Sequence, residues 1–130
     1  MLFRSGSVDL ESTILSANTL NNGTSYLPSD IGSHSGAVLT GANNLVGYSV
    51  LPAPVDTLYS FDPGLSALGP NGGPTPTMAL SPTSIAVNAG NNTNNGKYDQ
   101  RGDGFDRVIG ANADIGAFET DVLFRDGFDG

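Results

Sequence analysis

The chain has 130 residues, a formal net charge of −8 and no cysteine, which excludes disulfides and thiolate metal sites. Its 18 glycines and 8 prolines argue against a helical bundle. Only 5 of its residues are Lys or Arg, so nucleic acid is excluded as a partner, because phosphate binding needs a basic surface. No apolar run reaches the length of a membrane span, so we expect no membrane insertion.

The apolar segments are short and separated by turns. SVDLESTIL, residues 7–15, alternates apolar and acidic side chains, as expected of a strand with one buried face. Two more short apolar pieces lie in GAVLTGANNLVGYSV, residues 36–50. The dipeptides Asn22-Gly23, Asn71-Gly72 and Asn95-Gly96 are typical of turns with positive φ. No window has a helical stripe, so the sequence predicts an all-β fold: a sandwich, a barrel or a solenoid.

Spacing favours the solenoid. The apolar pair Ile14-Leu15 recurs as Leu45-Val46 in similar surroundings of small residues and Asn. One coil of a parallel β-helix takes roughly 20–25 residues. The interval here is longer, and the polar segment 18–36 accounts for the excess as a loop. We therefore expect the two pairs to stack on neighbouring coils, with corner Asn side chains bonding along the stack.

Several motifs occur in a fixed order: STILSAN, GANNLVG, LGPNGGPTPTMALSPTSIAVNAG, DQRG and ADIGAFE. Together they resemble the C-terminal part of right-handed parallel β-helix proteins that carry the choice-of-anchor Q domain. The resemblance covers roughly residues 8–119. Asn88 departs from the family pattern, which has an acidic residue there, so one ionic contact of the family is expected to be missing.

The resemblance implies a right-handed parallel β-helix whose terminal coils end in an irregular glycine- and proline-rich cap. On this basis residues 1–50 form terminal coils, 51–119 a capping segment and 120–130 a flexible tail. It also implies an exported bacterial protein located outside the cell or on its surface. The opening MLFRSGSVDLEST lacks the apolar segment of a signal peptide, so we expect no signal peptide within these residues.

The segment 99–119, DQRGDGFDRVIGANADIGAFE, holds most of the chemistry that the sequence offers. An EF-hand alignment would place Arg101 among the ligands, which excludes it. An irregular calcium site using Asp103 and Asp106 stays open as an alternative. The tripeptide Arg101-Gly102-Asp103 is a chance match to an adhesion signal. A paired-carboxylate hydrolase has no distinguishable pair here, and the lone His34 lies in a polar loop.

A structural polar staple explains the segment best. One guanidinium can hold carboxylates on two sides, so we expect Arg101 to bridge Asp99 or Asp114 within the cap. Glu119 completes this predicted staple, and Ile115 and Phe118 anchor it through apolar contacts. The predicted turn and cap residues are Asn71, Gly72, Gly73, Pro74, Gly102 and Gly116.

Three functions fit these features. The first is a non-enzymatic exported or cell-surface segment that serves as a scaffold or adhesin-like module. The second is the cap of a carbohydrate-active β-helix enzyme, a polysaccharide lyase or hydrolase, whose active site lies on other coils. The third is a calcium-stabilised surface module. The expected partners are a surface polysaccharide or another surface protein, and an exposed coil edge favours self-association.

Overall fold

The computed structural model describes residues 2–3, 6–33 and 37–121. Within these ranges the chain is built of strands and turns without a helix, which confirms the predicted all-β class. It follows that the described part has no helix that could cross a membrane. Internal contacts divide the chain into two compact units, Met1–Pro63 and Gly64–Gly130. The predicted cap was expected to begin earlier, at residue 51.

The described residues of the first unit contain nine strands: β1 (Leu2–Phe3), β2 (Gly6–Glu11), β3 (Ile14–Leu15), β4 (Thr19–Asn21), β5 (Tyr26–Pro28), β6 (Gly32–Ser33), β7 (Ala37–Ala42), β8 (Leu45–Val46) and β9 (Leu58–Tyr59). Three parallel pairs connect successive passes of the chain: β1 with β6, β2 with β7, and β3 with β8. A third pass adds β9 in parallel to β8, giving a three-stranded sheet in the order β3-β8-β9.

The predicted alignment of the two apolar pairs is confirmed. Ile14 lies opposite Leu45 and Leu15 opposite Val46. The same register extends along β2 and β7, where Gly6 lies opposite Ala37. Alternation in β2 is also as predicted, because the residues at Val8 and Leu10 are less exposed than their acidic neighbours. A parallel ladder of this kind needs a long crossover between its strands, which the intervening loop supplies.

That loop has a structure of its own. Strands β4 and β5 form an antiparallel hairpin with Leu20 opposite Leu27. Its turn is held by the side-chain oxygen of Asn22, which accepts hydrogen bonds from Thr24 N and Ser25 N. Gly23 adopts the positive φ that the Asn-Gly pattern predicts.

The second unit begins with an antiparallel hairpin of β10 (Leu65–Gly69) and β11 (Thr77–Leu80). Pro70, Pro74 and Pro76 lie in the connecting loop, where the missing backbone N–H of proline costs no ladder bond. Met78 and Ile85 are exposed. The apolar core of this unit instead includes Leu80, Ala86, Ala113 and Ile115.

From residue 81 to 121 the backbone consists of turns, bends and irregular segments, with one isolated bridge between Tyr98 and Asp106. Its last part, residues 113–120, is called the strap here. Ile115 N donates to Ala86 O, and Gln100 N donates to Ala117 O. The strap therefore connects the turns near residue 86 with those near residue 100, and this brings the charged groups of the segment together.

Candidate functional site

The predicted staple residues meet in one buried group within the second unit. Its members are Asp99, Arg101, Arg107, Asp114 and Glu119, called the carboxylate cluster below. Asp99, Arg101, Asp114 and Glu119 are all buried. Arg107 was not predicted as a member, although it lies in the same charged segment.

Arg101 and Asp99 form the shortest ion pair of the cluster. The guanidinium Nη2 lies 2.6 Å from Asp99 Oδ2, and Nε donates to the same oxygen at 2.9 Å. The Arg101 backbone N–H donates to Asp99 Oδ1 at 2.7 Å. Since the two residues are two positions apart, the tight turn between them lets one carboxylate accept both side-chain and backbone donors. The sequence predicts either Asp99 or Asp114 as the partner of Arg101, and the structure shows that the partner is Asp99.

The Arg101 guanidinium is enclosed by aromatic rings. Its Cζ lies 4.1 Å from the ring centroid of Phe105 and 3.8 Å from that of Phe118. Stacking on these faces is favourable for a planar cation. Nη2 also donates to the backbone oxygen of Glu119 at 2.8 Å. With only 9% of the residue exposed, this arginine is not presented to solvent as an adhesion tripeptide requires.

Glu119 connects the strap to the preceding turns. One carboxylate oxygen accepts from Ile109 N at 3.2 Å, and the other from Asp114 N at 2.8 Å. Arg107 Nη1 lies 3.3 Å from that second oxygen. Burial raises the pKa of Glu119 and the nearby Asp114 carboxylate adds to the rise, whereas the two backbone donors and Arg107 oppose it.

Both carboxylate oxygens of Asp114 accept hydrogen bonds from backbone N–H groups. Asn88 N donates to Oδ1 and Thr120 N to Oδ2, both at 2.7 Å. Asn88 stands where the resemblance predicted from the sequence implies an acidic residue. Its φ of 55° suits Asn better than most residues, and its side-chain oxygen accepts from Asn112 N at 3.3 Å. Here Asn88 contributes a backbone donor and a turn rather than an ionic contact.

The predicted turn residues pack near this cluster. A side chain at Gly73 would meet the backbone of Arg101, and one at Gly72 would meet the Phe105 ring. Gly102 and Gly116 both have positive φ. The Asn71 side chain donates to Thr77 O at 2.8 Å and thereby closes the β10–β11 loop, which also contains the predicted turn residue Pro74. The glycines thus allow close backbone approach around the buried arginine.

The geometry around Asp103 and Asp106 does not provide the set of ligands that the predicted calcium site would need. Asp103 and Asp106 are both exposed, and Asp106 forms an antiparallel bridge with Tyr98. Across residues 2–3, 6–33 and 37–121, no three His, Asp or Glu side chains are grouped as a metal would require. His34 lies outside the described residues.

Sequence reasoning missed a second buried polar site, in the first unit. Asp30 is buried, and its Oδ1 accepts from Asn18 N at 2.9 Å while Oδ2 accepts from Tyr48 N at 2.7 Å. Gly47 leaves the space that this carboxylate occupies. The available signal was Asp30 preceding the apolar Ile31 in a segment otherwise assigned to a loop.

Asn44 is another buried polar side chain of the first unit, and it connects successive passes of the chain. Its Oδ1 accepts from Thr13 N at 3.0 Å, and its Nδ2 donates to Leu10 O at 2.8 Å. The sequence predicts an Asn side chain that bonds between neighbouring passes of the chain, and Asn44 makes such bonds. However, Asn44 bonds the backbone of the preceding pass rather than a matching Asn.

Comparisons with protein-family models, with curated proteins and with solved structures found no match. The resemblance to the choice-of-anchor Q family therefore stays a prediction.

Proposed function

We propose that this chain is a non-enzymatic, exported or cell-surface segment that acts as a structural scaffold or adhesin-like module. In this proposal the first unit forms the terminal coils of a right-handed parallel β-helix. The second unit is a terminal module whose charged residues maintain its fold.

The observation that carries the proposal is the occupation of the cluster carboxylates. All the oxygens of Asp99, Asp114 and Glu119 accept hydrogen bonds from backbone N–H groups or from guanidinium groups. A carboxylate used in this way fixes the backbone, because it satisfies donors that would otherwise be buried without partners. A general acid or nucleophile needs an oxygen directed at substrate instead.

The solenoid part of the proposal is supported by the parallel, in-register pairing of β2 with β7 and of β3 with β8. Successive passes place apolar pairs above one another, as in a stack of coils. Asn44 adds hydrogen bonds between passes, which fixes the register in the way that a ladder of coils requires.

A surface polysaccharide is the proposed ligand class. Tyr26, Tyr48 and Tyr59 are exposed in the first unit, and an aromatic ring with a polar tip suits contact with a sugar face. Binding of the intact protein to a glycan array tests this part. Retention of a neutral or acidic polysaccharide that is lost after Tyr→Ala substitutions would support it.

The decisive experiment separates structural from catalytic carboxylates. Asp99→Asn, Asp114→Asn and Glu119→Gln are compared with wild type by thermal melting and by incubation with a panel of polysaccharides. The scaffold proposal expects lower melting midpoints and no depolymerisation by any of the proteins. Cleavage by wild type that disappears in one variant at an unchanged midpoint would contradict it and favour the carbohydrate-active alternative.

A further inference from the structure

We infer that copies of this chain associate end to end through strand β9 of one copy and strand β3 of the next, paired in parallel. The inference rests on the two edges of one sheet and stands apart from the proposed scaffold function. It needs no ligand.

The three-stranded sheet has a buried centre and accessible edges. In β8, the central strand, Leu45 and Val46 are fully buried. Tyr59 in β9 is 57% exposed, and Ile14 and Leu15 in β3 are partly exposed. Within the described ranges, β9 and β3 each pair with β8 and with no other strand.

The backbone of β9 is arranged to accept one more strand. Leu58 N donates to Asn44 O at 2.7 Å, and Ser60 N donates to Val46 O at 3.1 Å. In a parallel ladder, alternate residues direct their peptide groups to opposite sides. The N–H and C=O of Tyr59 are therefore directed away from β8, toward the open edge.

The opposite edge has the matching arrangement. Thr13 O accepts from Leu45 N, and Leu15 O accepts from Gly47 N, both at 2.9 Å. Alternation then directs the peptide groups of Ile14 away from β8. In a parallel ladder one residue bonds two different residues of the partner strand. The N–H or the C=O of Ile14 can thus bond one of the two outward groups of Tyr59.

A second copy fits these edges because it continues an interface that the chain already contains. β8 and β9 pair in parallel through two residues each, with Leu45 opposite Leu58 and Val46 opposite Tyr59. β3 has the same length and the same apolar character. Placing it beyond β9 extends the row of apolar pairs by one step and covers the exposed Tyr59 ring.

Charge sets the conditions under which this association occurs. The described charged residues of the first unit are all acidic: Asp9, Glu11, Asp30, Asp56 and Asp62. Copies that approach through this unit therefore repel one another, and salt screens the repulsion. A basic partner protein would show the opposite dependence, since salt weakens attraction between unlike charges. A contact of one short strand also predicts weak association.

The contact is heterologous, so it does not close on itself. After two copies pair, one of them keeps a free β3 edge and the other a free β9 edge, so chains of increasing length form. Sedimentation velocity of the full chain over roughly 10 to 500 µM measures this growth. We expect the mean mass to rise with protein concentration, and to rise further at high salt.

Tyr59→Pro is the sharpest single variant. Proline removes the outward N–H and blocks approach at the edge, whereas the bonds to β8 are donated by Leu58 and Ser60 and stay available. We expect about a tenfold higher concentration for association. Leu68→Pro is the matched control, since Leu68 is an exposed strand residue of the second unit and lies outside the proposed contact.

Complementation identifies the second copy as the occupant. Ile14→Pro damages only the β3 edge, so a mixture with Tyr59→Pro still contains one intact edge of each kind. We expect the mixture to form dimers and nothing larger. Should Ile14→Pro fail to fold, Tyr59→Pro added to wild type serves instead, and it shortens the chains by blocking one end.

Two results would overturn the inference. One is a wild-type protein that stays monomeric at the highest concentration in high salt. The other is a Tyr59→Pro protein that keeps its wild-type melting midpoint and associates as wild type does.

Discussion

Removing the Arg101 side chain tests the carboxylate cluster at its centre. In Arg101→Ala, the Asp99 carboxylate, whose side chain is fully buried, loses its ion-pair partner. It retains two backbone donors, Arg101 N and Glu119 N. The backbone oxygen of Glu119 loses the donor that now approaches at 2.8 Å. Phe105 and Phe118 lose the cation between them.

The expected cost follows from leaving a buried charge without its partner. Breaking a buried ion pair from one side typically costs about 3–5 kcal/mol. Because Asp99 keeps two backbone donors, we expect Arg101→Ala to lose free energy of unfolding near the lower end of this range, about 3 kcal/mol. At roughly 4 °C per kcal/mol for a domain of this size, the melting midpoint falls by about 12 °C.

Urea unfolding followed by circular dichroism measures the loss directly. Lys97→Ala is the matched control, because it also removes one cation from the second unit but Lys97 is exposed; we expect a change within about 0.5 kcal/mol. Arg101→Lys keeps the charge but loses the planar guanidinium. We therefore expect its stability to lie between the stabilities of Arg101→Ala and Lys97→Ala. Equal midpoints for Arg101→Ala and Lys97→Ala would refute the reasoning.

Three further predictions address other contacts. Gly73→Ala should cost several kcal/mol more than Gly102→Ala in urea unfolding, because both have positive φ but only Gly73 faces the Arg101 backbone; equal losses would contradict the close approach. Asn44→Ala should lower the free energy of unfolding by about 2–3 kcal/mol, since it leaves the Thr13 N–H and the Leu10 carbonyl without their partner; a neutral result would show that Asn44 does not hold successive passes of the chain together. Burial raises the pKa of Glu119 in the folded state. As the pH falls from 7 toward 4.5, the ordinary pKa of this side chain in the unfolded chain, the folded state therefore takes up the proton first. Wild type should therefore gain stability relative to Glu119→Gln over that interval, and a shrinking difference would reverse the assigned sign.

The sequence predicted the parallel register because two apolar pairs with similar neighbours can stack in only one alignment. Ile14 and Leu45 meet as that pattern requires. The hairpin of β4 and β5 was assigned to a loop, since three-residue strands with exposed side chains leave no periodic signal. Turn chemistry at Asn22-Gly23 was the only indication of it.

Predicting the cluster depended on composition rather than on geometry. Few cations and many carboxylates in a glycine-rich segment indicated that Arg101 would be paired. Arg101 pairs with Asp99 because of a tight turn that the sequence alone does not reveal. The role of Arg107 depends on the path of the strap, which the sequence does not reveal either. Asp30 escaped prediction because its backbone donors, Asn18 N and Tyr48 N, come from different passes of the chain.

Native-state hydrogen exchange tests the central claim most directly, on the unmodified protein. The claim is that buried carboxylates fix the strap, so the amide protons of Asp114, Glu119 and Thr120, which donate to them, should exchange only when the unit unfolds. The Gly23 amide also donates to a side chain but lies in an exposed turn, and it should exchange quickly. Exchange of the three strap amides at the rate of Gly23 would contradict the account.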